Sequence, residues 1–155
     1  MTNQAISIQL NRQATYFPGT HGPIAFIEYS EDCRVFSTEF NTYGGSTAPA
    51  LKQNDRLFVA NSFFQPARDD HRSPRLPSPW KEIRISPLCQ SDFRLVVGPG
   101  AYDATQHPDF SATAGPIVFG YAQGNTHTSS DVVTRQKDTD NWSVAVYSRL
   151  ASSPP

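Results

Sequence analysis

KEIRISPLCQSDFRLVVG, residues 81–98, holds two apolar–polar alternations back to back. Ile83 and Ile85 recur at a spacing of two in the first, and Phe93, Leu95 and Val97 do so in the second. Such spacing puts the apolar side chains on one face of an extended strand, whereas a helix needs them three and four residues apart. Turn-forming Ser91 and Asp92 separate the runs, so residues 81–88 and 92–98 read as strands.

The same signature recurs along the chain. AISIQL (5–10), PIAFIEY (23–29), CRVFSTEF (33–40), DRLFVANSFF (55–64), PIVFGYA (116–122) and NWSVAVYSRL (141–150) are rich in β-branched and aromatic residues, and DVVTRQ (131–136) is a weaker case. No stretch carries a sustained helical stripe with caps. Eight or nine strands with irregular connections predict an all-β fold, an antiparallel β-sandwich of jelly-roll-like form, with a closed β-barrel as the alternative. A single domain is expected over 1–150, with ASSPP (151–155) as a flexible tail. Connections 41–54, 65–80 and 98–115 exceed the usual loop length, and their prolines and aromatics suggest ordered excursions rather than spacers. HGPIAFIEY (21–29) and AGPIVFGYA (114–122) echo each other, each placing Gly-Pro before a strand.

Composition narrows the function classes. The 155 residues carry a net charge of −1, which excludes bulk electrostatic attraction to nucleic acid or to a membrane surface. Cations concentrate within residues 52–94, and most are arginine, suited to forked contacts with anionic groups. The start MTNQAISIQL lacks the basic and apolar regions of a signal peptide. No segment approaches the ~20 apolar residues of a membrane helix. A cytoplasmic protein, or one released without a signal peptide, is expected, with secretion left open. Cys33 and Cys89 are too few for a disulfide framework or a zinc site; free thiols are expected, or one disulfide in an oxidising compartment.

Catalytic signatures are missing. There is no GxSxG elbow and no phosphate-cradling glycine loop, and the four histidines show no metal-binding spacing. The expectation is a protein that is not an enzyme. KDTDNW (137–142) resembles the start of an oxygen-ligand loop, so Asp138, Asp140 and Asn141 are candidate calcium ligands, although the glycine and terminal glutamate of a full loop are absent. Recognition has more to draw on. Sugar sites set aromatic faces against apolar sugar CH groups and orient amide, carboxylate or guanidinium groups on the hydroxyls. Trp80 with Arg75, Tyr102 with Asp103, and Asn125 with His127 supply those ingredients. The reading is a non-catalytic, lectin-like module that binds glycans or glycoconjugates through long loops at the sandwich rim. One alternative is a coat- or fibre-head-type assembly protein, a homo-oligomer held by loops 41–54 or 98–115. Another is a small barrel enzyme with an internal pocket and His107 or His127 as base.

Overall fold

The structure, a computed structural model, describes residues 3–37, 45–61, 79–127 and 135–149. Within them lie nine strands: β1 (Asn3–Tyr16), β2 (Ile24–Ser37), β3 (Gly45–Gln53), β4 (Arg56–Ala60), β5 (Lys81–Leu88), β6 (Phe93–Gly98), β7 (Ala101–Asp103), β8 (Ile117–His127) and β9 (Arg135–Ser148). They form two antiparallel sheets, one of six strands in the order β1-β8-β3-β4-β6-β7 and one of three in the order β5-β2-β9. The expected sandwich is what forms, and neither sheet closes into a barrel. No helix among the described residues is long and apolar enough to cross a membrane.

Several expected boundaries shift. The runs 23–29 and 33–40 join as the single strand β2, and residues 41–54, read as a connection, contain the central strand β3. The short β7 lies inside the expected connection 98–115. Both halves of the Gly-Pro echo begin strands, at Ile24 and Ile117, but in different sheets. Most of 65–80 and the tail 151–155 lie outside the described residues.

Local chemistry explains the corners. β3 and β4 are joined by Asn54 and Asp55, both at positive φ (49° and 59°). A two-residue hairpin loop of that shape matches strand twist, and Asn and Asp tolerate it best after glycine. Between β1 and β2 the single-turn helix α1 (Pro18–His21) redirects the chain to the other sheet. The Tyr16 hydroxyl secures that corner near the carbonyls of His21 and Gly22, at 3.0 and 2.9 Å.

Two apolar layers result. Ile27 and Tyr29 of β2, Leu88 of β5, Leu51, Phe58, Phe93, Ile117 and Phe119 of the larger sheet, and Phe110 fill the space between the sheets. The opposite face of the six-stranded sheet carries a second cluster of Ala48, Ala50, Val59 and Ala122, flanked by Ile6, Ile8, Val96 and Tyr102. Ile6 and Ile8 do share one face, as their spacing predicts. Because Ile8 stands opposite Ala122, that face is turned away from the three-stranded sheet.

A hydrogen-bonded polar pair is built into the core. Tyr29 and Glu31, two apart on β2, are both 1% exposed, and the Tyr29 hydroxyl donates to Glu31 Oε2 at 2.6 Å. Burial, and then the Glu31 charge, hold the Tyr29 phenol far above the ordinary tyrosine range. The folded protein therefore resists losing this proton, while the unfolded chain ionises freely above about pH 10. The stability linked to Tyr29 is present below that pH and is lost as pH rises past it. Tyr29→Phe is expected to flatten the alkaline limb by up to about 1.4 kcal/mol per pH unit. At neutral pH it should cost about 1–3 kcal/mol, because Glu31 loses a buried donor. Urea unfolding from pH 8 to 11 checks both, and an unchanged alkaline slope would contradict the assignment.

Candidate functional site

Of the residues expected to bind sugar, the described side chains fall on different sheets, Trp80 beside the three-stranded one and Tyr102 and Asp103 on the six-stranded one. Trp80 stands 45% exposed at the entry to β5, but the Arg34 guanidinium stacks on its ring at 4.5 Å and also pairs with Asp138 at 2.8 Å. That indole face is already occupied within the chain. Tyr102 belongs to the other sheet, half-buried beside the second apolar cluster with the Arg94 guanidinium 4.1 Å from its ring. Asp103 accepts from the Thr105 hydroxyl (2.6 Å), the Thr105 amide (2.9 Å) and Gln106 Nε2 (2.7 Å). Those bonds, the hydroxyl's first, hold its carboxyl below the usual range. Asn125 and His127 pair through the backbone with β1, opposite Ala5 and Asn3, and their side chains lie outside the described residues. Arg75 lies outside them altogether.

The candidate calcium ligands are engaged on the outer face of the three-stranded sheet. Asp138 faces Arg34, Asp140 Oδ1 accepts from the Asn141 amide at 2.8 Å, and Asn141 Nδ2 donates to Asp32 Oδ2 at 2.7 Å. Asn141, at φ 48°, sits where the pairing of β2 and β9 slips register. Among the described residues no three His, Cys, Asp or Glu side chains are grouped to hold a metal ion. His107 Nδ1 lies 2.5 Å from the Phe93 carbonyl, a loop-fixing contact. Cys33 is buried, Cys89 is exposed, and neither is joined in a disulfide.

A cleft forms elsewhere, at the β1 edge. β1 pairs regularly with β8 from Asn3 to Leu10 and again from Thr15, but residues 11–14 stand opposite Phe119 alone. A strand with surplus residues must bulge and re-aim its side chains. Here the bulge is tied by the Gln13 amide donating to Asn11 Oδ1 (3.0 Å) and by the Thr15 hydroxyl donating to the Arg12 carbonyl (2.7 Å). Gly120 permits it, since a Cβ there would fall 1.9 Å from the Gln9 carbonyl oxygen.

Gln9, Leu10, Asn11, Arg12, Gly120, Tyr121 and Trp142 line the resulting cleft of about 290 Å³. That is near the lower end of small-molecule sites, roughly 300–1,000 Å³. The rings of Tyr121 and Trp142, brought from different sheets, lie 6.4 Å apart and tilted by 51°. The Tyr121 hydroxyl donates to Gln9 Oε1 at 2.6 Å. Burial, and then the Glu31 charge, raise the Tyr121 phenol above its ordinary range, so it stays a donor at neutral pH. The Trp142 indole Nε1–H is buried and has no hydrogen-bond partner among the described residues.

The cleft thus joins two aromatic rings, two side-chain amides and one guanidinium, with no thiol, imidazole or carboxylate from the described residues in its lining. That set can stack and hydrogen-bond. It offers no nucleophile–base pair of the acid–base kind. None of these residues stands out in sequence. The available signal is the loss of alternation after Leu10 in a strand that resumes at Thr15. Comparison with protein-family models, with curated proteins and with solved structures finds no match to this chain.

Proposed function

We propose that this protein is a non-catalytic carbohydrate-binding module whose sugar site is the β1-edge cleft. The observation that carries this reading is the Tyr121–Trp142 ring pair beside Gln9 and Asn11, whose amides are held by bonds to Tyr121 and Gln13. Apolar CH faces of a sugar pack on the rings, while the oriented amides discriminate hydroxyl positions. Fixing those amides before binding lowers the entropy lost when the ligand docks. The site lies at a strand-edge bulge and not at the loop rim, so the sugar-binding expectation is kept and its location is changed.

A glycan array with purified protein tests this. The wild type is expected to select a related set of glycans, and Trp142→Ala to lose at least about tenfold in affinity, since stacking aromatics dominate such contacts. Trp142 also packs on the core, so Gln9→Ala, an exposed change, is the matched variant. It should weaken binding severalfold with its melting temperature unmoved. A blank array sinks the reading and favours assembly, which a symmetric oligomer in light scattering would then reveal.

A further inference from the structure

We propose that the cleft takes sugars bearing an acidic group, a carboxylate or a sulfate, and that Arg12 reads that group; this rests on the carbohydrate-binding reading above. Donors outnumber acceptors on the polar side chains of the cleft. Gln9 Oε1 already accepts from Tyr121 and keeps one lone pair beside the two N–H donors of its NH₂. Asn11 Oδ1 accepts from the Gln13 backbone N–H and likewise keeps one lone pair beside its NH₂. A backbone N–H can only donate, so the orientation of Asn11 is settled by its partner. The Tyr121 oxygen, its proton spent on Gln9, is left an acceptor, and the Trp142 indole N–H is buried, so neither adds a donor to the exposed surface.

Arg12 adds donors, no acceptor and a full positive charge. Among the described residues it takes part in no ion pair, whereas Arg34 and Arg84 on the other sheet each face a carboxylate. Among the described residues no acid lines the cleft. Glu31, the acid whose charge reaches Tyr121, is buried and already bonded to Tyr29. The two NH₂ groups and the guanidinium N–H groups still outnumber the acceptors on Gln9, Asn11 and Tyr121, so the exposed polar surface is rich in donors and carries one cation with no ion pair among the described residues. A neutral hydroxyl brings a proton of its own to such a surface. A carboxylate or sulfate brings acceptors only, in a geometry the guanidinium fork matches.

Arg12 is exposed, so the preference it confers is modest and salt-dependent. The test is a panel of matched glycan pairs that differ only by a carboxylate or by a sulfate, read by affinity at low and high salt. Acidic members are expected to bind about tenfold tighter than their neutral partners at low salt, with the gap closing at high salt. The separate carboxylate and sulfate arms show which anion the fork prefers. Arg12→Gln should collapse the gap with its melting temperature unchanged. Equal binding of neutral and acidic partners, or a gap that survives Arg12→Gln, overturns this inference and leaves the sugar site standing. Failure of every glycan to bind the wild type would instead overturn the site itself.

Discussion

Gly120→Ala is expected to destabilise the protein by about 3 kcal/mol, among the larger costs of forcing atoms into a packed site. The added methyl would sit 1.9 Å from the Gln9 carbonyl oxygen and 2.9 Å from both the Gln9 carbonyl carbon and Leu10 Cα. All three are backbone atoms, so no rotamer change relieves the clash. β1 must move away from β8 where Ser7–Leu10 pair with Gly120–Gln123, and the bulge that forms the cleft moves with it. For a domain of this size the loss corresponds to a fall in Tm on the order of 10 °C. Sugar binding should fall in the same variant. Gly98→Ala is the control, because its Cβ would meet Ala101 Cβ at an ordinary 3.8 Å. It is expected to change stability by less than about 0.5 kcal/mol. Equal melting temperatures for the two variants would contradict the close approach at Gly120.

Gln53→Leu should cost about 3 kcal/mol although it nearly preserves volume, because buried backbone groups lose their partners. Gln53 is 4% exposed at the end of β3, where it donates to the carbonyls of Asp109 (2.8 Å) and Gly115 (3.2 Å) and accepts from the Asp109 amide (2.7 Å). These bonds fasten the segment between β7 and β8 to the β3–β4 hairpin. Phe110 is carried into the core beside Phe93, and the Ile24 amide donates to the Phe110 carbonyl at 2.9 Å. Leucine fills the space and satisfies none of the polar atoms. Amide exchange should accelerate across residues 104–116 before it changes in β2 or β5. Uniform acceleration throughout the chain would show that Gln53 is ordinary core and no local fastener.

These assignments also show where a sequence speaks plainly. β5 and β6 match the bounds of the two alternations of 81–98, with Ile83 and Phe93 turned into the core. The second alternation breaks at Val97, which is 59% exposed where the register with β7 shifts, while Val96 packs on the second apolar cluster. β3 gives no such pattern. Within GSTAPALKQ the run Thr47–Leu51 is buried whichever face its side chains take, between two apolar layers. A strand buried on both sides has no reason to alternate. Pro49, which normally argues against a central strand, stands opposite Tyr121 in the middle of the sheet. Polar Ser30–Asp32 looks like a break in β2 for a related reason. Glu31 turns inward to meet Tyr29, while Ser30 and Asp32 turn outward to Ser143 and Asn141, contacts that no local pattern announces.

The cleft was illegible on the same grounds. Trp142 and Tyr121 look like ordinary strand aromatics, and only the pairing of β1 with β8 brings Gln9, Asn11 and Arg12 beside them. Trp80 carried the stronger local signal, yet its ring is spent on Arg34.

The most direct test follows the indole of Trp142 itself. The chain has two tryptophans, so in Trp80→Phe the emission belongs to Trp142 alone. Titrated across a panel of soluble glycans, that variant is expected to show a saturable shift in emission with one chemically related group. Gln9→Ala in the same background should weaken it severalfold. Emission that stays unmoved across the panel, or glycan binding that leaves Trp142 silent, would contradict a sugar site in the cleft.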